Sequence, residues 1–150
     1  MTKEELLKEV RYSERLCTRT ARLYRHLQTA GTTMSIIGGS AVVVGALQPS
    51  IAPIGAAVVA VFGAALIAVR PADKAAVNEV ESRKYAKLRT EARDMNPEQL
   101  ETALNKTRES DVAEVEALRF VAYNDLADEI GQPSYKYKLT ALQKLVGALA

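Results

Sequence analysis

Few residues in this chain carry the chemistry of a catalytic or metal-binding group. The 150 residues include a single histidine, His26, and a single cysteine, Cys17, with no tryptophan. A zinc site needs several His or Cys ligands, and an internal disulfide needs two cysteines. Cys17 and His26 are nine positions apart, which places them on opposite faces of a helix with steps of about 100°. The sequence therefore predicts no metal, no disulfide and no Cys–His nucleophile.

Carboxylates are the remaining candidates for acid–base catalysis. The candidates weighed for this role are Glu114, Glu116, Asp125, Asp128 and Glu129, all in the last third of the chain. The first two are two positions apart and face different ways on a helix, and the other three have the spacing of a solvated helix surface. We therefore expect no enzyme activity and no cofactor, with catalysis at a membrane face as the weakest alternative.

The charges are strongly segregated along the chain. The 20 basic and 18 acidic residues give a net charge of only +2, which argues against a nucleic-acid partner. No Asp, Glu, Lys or Arg occurs from Leu27 to Val69. A soluble helical hairpin of that length would expose a polar stripe on each helix. The pattern predicts a lipid bilayer as the environment of this segment.

The uncharged segment divides at a turn predicted over residues 48–53, where two prolines and a serine interrupt the helix pattern. The flanking stretches, 30–47 and 53–69, each cover roughly 26 Å at about 1.5 Å per residue, near the lower limit for a hydrocarbon core of about 30 Å. A buried hairpin in a soluble bundle remains an alternative, because the first stretch carries Thr32, Thr33, Ser35 and Ser40.

Basic residues precede the first predicted span and follow the second, and the connecting turn has no basic residue. The positive-inside rule then places both termini in the cytoplasm and the turn outside. Rings and lysines interleaved near the C-terminus favour the headgroup region as well. The predicted membrane-interface residues are Arg22, Arg25, Arg70, Tyr135, Lys136, Tyr137 and Lys138.

Small and hydroxyl residues recur at helical spacing inside the spans. Because lipid supplies no hydrophobic force between helices, small residues every fourth position favour close packing, which predicts Gly31, Ala56, Ala60, Ala64 and Ala68 as helix-packing positions. The hydroxyl face of the first span predicts pore-lining positions in an oligomer: Thr29, Thr32, Ser35 and Gly39. Those hydroxyls also have the alternative of bonding carbonyls of their own helix.

The remaining segments have helical periodicity and no alternating strand pattern, so the predicted fold is all-α. Thr2 and Glu5 resemble a capping box at the start of a helix over 3–26. Further helices are predicted over 72–95, 97–108 and 111–130. We divide the chain into an amphipathic cytoplasmic helix (1–27), a transmembrane hairpin (28–70), a cytoplasmic helical region (71–131) and an amphipathic tail helix (132–150). The tail is expected on the inner leaflet or on a neighbouring subunit.

This order of elements, together with Tyr85-Ala86-Lys87-Leu88 and Ala122-Tyr123-Asn124, resembles the SLATT family, the two-transmembrane effectors of bacterial nucleotide-signalling conflict systems. The resemblance covers roughly residues 5–131. It implies a homo-oligomeric pore-forming effector of antiphage defence in the bacterial inner membrane, triggered through its cytoplasmic helices by a nucleotide second messenger or a cytosolic sensor protein.

The alternative function is a membrane-anchored adaptor, or a phage-type scaffold or lysis protein, without a conducting pore. The hydroxyl residues of the first span weigh against a simple anchor, because an anchor gains nothing from them. The long region after the second span fits a small lysis protein poorly.

Overall fold

The structure is a computed structural model that describes residues 1–45, 50–110 and 115–150. All its regular elements in those ranges are helices, which confirms the all-α prediction. The helices are α1 (Lys3–Gly45), α2 (Ala52–Val69), α3 (Pro71–Glu91), α4 (Pro97–Arg108), α5 (Glu116–Glu129), α6 (Ala141–Leu149) and a short 3-10 turn at Pro133–Tyr135. The chain forms two compact units. We call residues 1–23 with 75–150 the bundle, and residues 24–74 the hairpin.

Helix α1 contributes to both units, and its start has the predicted capping box. The Thr2 backbone N–H donates to Glu5 Oε2 at 2.8 Å, and the Glu5 N–H donates to Thr2 Oγ1 at 3.3 Å. The first of these bonds holds the pKa of the Glu5 carboxyl below its ordinary value, because it stabilises the charged form. Neither glycine nor proline interrupts the sequence from Lys3 to Ala30, so the amphipathic segment and the first apolar stretch form one helix.

The first part of α1 supplies one side of both hydrophobic clusters in the bundle. The first cluster joins α1 to α3 and α4 through Leu6, Val10, Tyr85, Leu88, Ala92, Leu100 and Leu104. The second joins α1 to α5 and the chain end through Leu16, Leu23, Leu118, Val121, Ala122 and Ala150. The periodic apolar positions of α1 are thus covered on two sides, which leaves a third side of this helix for polar groups.

The boundary between α2 and α3 lies at Arg70. This residue adopts a left-handed conformation (φ 49°), its N–H donates to Leu66 O at 3.0 Å, and Pro71 takes the first position of α3. The residue before a proline is disfavoured in the right-handed helical region, and proline is well suited to a first turn. Two helices therefore meet here. The end of α3 at Glu91 is earlier than the predicted residue 95.

Helix α4 begins as predicted. Asn96 accepts from the Gln99 N–H and Gln99 reciprocates, with Pro97 at the first position. Gly131 follows α5 in a left-handed conformation (φ 70°), which only glycine adopts without strain. The predicted turn residues Gln48 and Pro49 lie outside the described residues, as does Glu114.

The tail packs on α5 of the same chain. The sequence had predicted it on the inner leaflet or on a neighbouring subunit. Gly147 lies against Val121, and Arg19 Nη1 donates to the Gly147 carbonyl at 3.3 Å. The Asn124 side chain bonds both the N–H and the carbonyl of Tyr137, at 2.8 and 2.9 Å. Helix α6 keeps three leucines exposed on its other side: Leu142, Leu145 and Leu149.

Candidate functional site: the apolar hairpin

Three glycines of α1 form the contact with α2. Gly31, Gly38 and Gly45 are spaced seven residues apart, close to two helical turns, and all three are buried. Gly31 lies against Leu66, and Gly45 lies against Ala52. The two helices therefore pack along a row of positions without side chains, which lets their backbones approach.

Gly38 and Gly55 lie against each other across this contact. A Cβ added at Gly38 would be 2.9 Å from the Gly55 carbonyl oxygen and 2.9 Å from Val58 Cγ1. A Cβ added at Gly55 would be 2.6 Å from the Gly38 carbonyl oxygen. Because the obstacles include backbone atoms, a larger residue cannot be accommodated by rotating a neighbouring side chain. By contrast, nothing lies within 4 Å of such an atom at Gly39 or Gly63.

The rest of the hairpin surface is apolar and exposed. Within the most apolar 18-residue window of each helix, only 11% and 6% of the residues are buried. Both helices are long and apolar enough to cross a membrane. A core helix of a soluble protein is mostly buried, which these windows are not. The large exposed side chains include Ile36, Ile37, Val43, Val44, Ile54, Val61 and Ile67.

The predicted pore-lining residues lie on α1 beside the glycine row. Thr32 is exposed and its hydroxyl accepts from Gln28 Nε2 at 3.2 Å, while Ser35 and Gly39 are half-buried. With Gln28 these positions fall within about 60° around the helix axis, and Thr29 lies on the next flank, also exposed. We call Gln28, Thr32, Ser35 and Gly39 the polar flank. The structure thus brings most of the predicted set together.

The hydroxyl groups of α1 differ in their partners. Ser40 Oγ donates to the Ile36 carbonyl at 2.9 Å, as expected for a serine bonding its own helix. Ser35 Oγ is buried and has no hydrogen-bond partner among the described residues. A buried hydroxyl without a partner is unfavourable, so the polar flank is not fully satisfied within one chain.

The predicted helix-packing residues separate into two groups. Gly31 lies in the contact with α2, whereas the four alanines Ala56, Ala60, Ala64 and Ala68 are exposed. Ala60 and Ala64 lie about 140° and 180° around α2 from the buried Gly55. The alanine row is therefore not part of the contact between α1 and α2. The sequence analysis missed Gly38, Gly45 and Gly55, although the seven-residue spacing of Gly31, Gly38 and Gly45 was a visible signal.

The basic residues predicted at the interface are all exposed. Arg22, Arg25 and Arg70 are accessible, and Arg70 pairs with Asp73 at 2.6 Å. In the hairpin, the Lys74 ammonium lies 5.4 Å from the centroid of the Tyr24 ring. Such amphipathic pairs of a ring and a cation are typical of residues that flank an apolar segment.

The predicted interface residues of the tail are partly engaged by α5. The Tyr137 ring lies 4.9 Å from the Phe120 ring and 5.0 Å from the Tyr123 ring, and Lys136 pairs with Asp128. Tyr135 is 63% exposed, and Lys138 is exposed as well. The segment is therefore held to the bundle by Tyr137 and Lys136.

The residues considered for catalysis have structural partners in the bundle. Asp125 pairs with Arg19, and Glu129 pairs with Arg15. Cys17 packs against the first hydrophobic cluster. Among the residues that the structure describes, no group of three His, Cys, Asp or Glu is placed to hold a metal ion.

Comparison with known proteins does not assign the chain to a family. A scan against protein-family models finds no match, and searches of the curated proteins and of the solved structures find none either.

Proposed function

We propose that the protein is an integral membrane protein of the bacterial inner membrane, whose hairpin assembles into homo-oligomers that conduct when the bundle is triggered. The observation that carries the proposal is the exposed aliphatic surface of a hairpin without a charged residue from Leu27 to Val69. The resemblance to SLATT effectors supports the same function.

Lipid is the solvent that suits this surface. The exposed fractions of Ile36, Val43, Ile54, Val61 and Ile67 range from 64% to 79%. Burying one such side chain is worth about 1.5–3 kcal/mol, so hydrating these five and their neighbours costs on the order of 10 kcal/mol. That is comparable with the entire stability of a typical domain. A bilayer removes this cost without any protein partner.

The polar flank supports assembly. The Gln28 amide donates to the Thr32 hydroxyl, but lipid cannot satisfy the remaining hydrogen-bonding capacity of these two groups, whereas a second copy or an aqueous path can. The exposed alanine row of α2 offers a second surface on which helices approach closely. A ring of hairpins joined through the alanines would turn the polar flanks toward a central path. Two helices alone cannot enclose such a path, so conduction requires an oligomer.

A membrane-anchored adaptor without a pore is the second candidate. It is favoured by the aliphatic side chains that occupy several directions around both helices, from Ile36 and Ile37 on α1 to Ile54 and Val61 on α2. Such a hairpin can remain in lipid as a single copy. The bundle would then act by recruiting a cytosolic partner.

Dye release tests the pore. The full chain, reconstituted into dye-filled vesicles, is expected to release dye upon addition of at least one member of a panel of cyclic oligonucleotides and nucleoside triphosphates. Thr32→Leu should lower the release rate at least tenfold, because it removes a hydroxyl from the polar flank. Thr33→Leu is the matched control: this neighbouring threonine is exposed about 100° away and its replacement should leave release within about twofold.

Intact vesicles across the panel, with the protein shown to be inserted, would contradict the pore and favour the adaptor. Equal losses in the two threonine variants would contradict the assignment of the polar flank.

Orientation is tested by labelling cysteines with a membrane-impermeant maleimide on intact cells. In a Cys17→Ser background, Ser50→Cys is expected to react from outside, because the positive-inside rule places the turn there. Lys138→Cys, at an exposed position, should react only after the cells are lysed. The reverse pattern would show that both termini lie outside.

A further inference from the structure

The bundle contains an arginine-rich groove along the polar side of α1. Its cavity volume is about 640 Å³, within the range of small-molecule sites. Four of its arginines lie on α1, at Arg11, Arg15, Arg19 and Arg22, and a fifth, Arg89, comes from α3. Carboxylates of α5 form the opposite wall. We call this feature the arginine groove.

Helical register aligns the arginines of α1. Arg11, Arg15 and Arg22 fall within about 40° around the helix axis, and Arg19 lies at the edge of the same row. The row from Arg11 to Arg22 extends roughly 16 Å along the helix. Several guanidinium groups therefore face one elongated cavity.

The middle of the row is held by carboxylates. Arg19 donates to both oxygens of Asp125, at 2.8 and 3.0 Å, and Arg15 pairs with Glu129. The first is the two-pronged contact that arginine makes with a carboxylate or a phosphate, and in the second both Arg15 donors meet one carboxylate oxygen. The positions of the carboxylate oxygens show where anionic oxygens are accepted in the groove.

The two ends of the row lack such partners. Arg11 Nε is buried and has no hydrogen-bond partner among the described residues, and Arg11 reaches Glu129 only at 3.8 Å. Arg22 has no ion pair within the part of the chain that the structure describes, and its side chain is exposed. Across the cavity, Arg89 lies 3.2 Å from Glu14 Oε2 without the alignment of a hydrogen bond. Donors are thus left over at both ends of the groove.

We propose that the arginine groove binds an anion carrying two or more phosphate groups. A guanidinium carries five N–H donors, so a linear polyanion can fill the unpaired donors of Arg11 and Arg22 and bridge the row between them. A single phosphate engages one end only. None of the groove's lining residues is aromatic, so phosphates are recognised and a base contributes little. The phosphates can come from a soluble nucleotide or from anionic lipid headgroups. The proposal is independent of whether the hairpin conducts.

Calorimetric titration of the full chain in neutral detergent with sodium tripolyphosphate tests the groove. Tripolyphosphate is expected to bind at least tenfold more tightly than orthophosphate, and ATP is expected to match tripolyphosphate within about threefold. The double variant Arg11→Gln with Arg22→Gln should weaken tripolyphosphate binding at least tenfold. The matched control, Arg83→Gln with Arg119→Gln, removes the same charge from exposed helix positions outside the groove and should bind within about twofold of the parent.

A variant that is expected to strengthen tripolyphosphate binding keeps the test valid if the double variant folds poorly. Asp125→Asn removes a carboxylate that competes for Arg19, so it should tighten tripolyphosphate binding severalfold with the circular dichroism spectrum unchanged. No binding by the parent at millimolar tripolyphosphate would overturn the proposal. So would equal losses in the groove variant and its control, or no gain from Asp125→Asn.

The source of the phosphates is distinguished in nanodiscs. Binding of tripolyphosphate in discs of phosphatidylcholine and equally in discs containing cardiolipin, whose headgroup carries two phosphates, supports a soluble ligand. Binding in the first and its loss in the second supports occupation by lipid headgroups. Absence of binding in both would overturn the proposal.

Discussion

Val61→Lys is expected to lower the ratio of membrane-integrated to non-integrated protein by about two orders of magnitude. Val61 lies near the middle of α2 and is 64% exposed. A lysine at the centre of a membrane-spanning helix costs about 2.5–3.5 kcal/mol, and each 1.4 kcal/mol is a factor of ten. If water surrounded the hairpin, the same substitution would remove an exposed apolar group and cost almost nothing. The two environments therefore predict opposite results.

The measurement is the carbonate-resistant membrane fraction after cell fractionation. Val80→Lys is the matched control, since Val80 is 50% exposed on α3 in the bundle and its replacement should change the fraction by less than about twofold. Parent protein that stays in the supernatant without detergent, or a Val61→Lys variant that integrates as well as the parent, would refute the membrane assignment.

Gly38→Leu is expected to separate the two helices of the hairpin. The added Cβ would meet the Gly55 carbonyl oxygen at 2.9 Å, and the remaining atoms of the leucine would meet α2 as well. Inserting atoms into a packed contact costs typically 1–3 kcal/mol, and here the contact includes backbone, which cannot change rotamer. Gly39→Leu is the matched control, because an added Cβ there meets nothing within 4 Å. Both variants place the same residue in the same helix.

Spin labels on exposed Val44 and Ile54, in a Cys17→Ser background, report the separation near the turn. Double electron–electron resonance should give a longer and broader distance distribution for Gly38→Leu, and the parent distribution for Gly39→Leu. Identical distributions for the two variants would show that Gly38 does not lie in the contact.

Helix ends and the apolar segment were predictable because their causes are local. The cap at Asn96 needs only Pro97 and Gln99, all within a few residues. The left-handed glycine after α5 follows from the absence of a side chain at Gly131. The absence of charge from Leu27 to Val69 is visible in the composition alone, and it predicted both apolar helices.

Spacing alone could not predict which small residues of α1 contact α2. Gly31 belongs to two rows, one that continues through Ser35 and Gly39 and one that continues through Gly38 and Gly45. A four-residue step advances about 40° around the helix and a seven-residue step falls back about 20°, so the rows diverge. Which row faces α2 depends on the crossing of the two helices, and the structure selects the second.

The sequence by itself determined which residues form helices, where most of those helices begin, and that one segment is suited to lipid, because each follows from neighbours a few positions apart. Only the tertiary structure decided that Gly38 meets Gly55, that the tail packs on α5, and that arginines of α1 face carboxylates more than 100 positions away. These contacts depend on how distant helices pack, and a periodic pattern states which face of a helix is apolar or charged without stating what covers it.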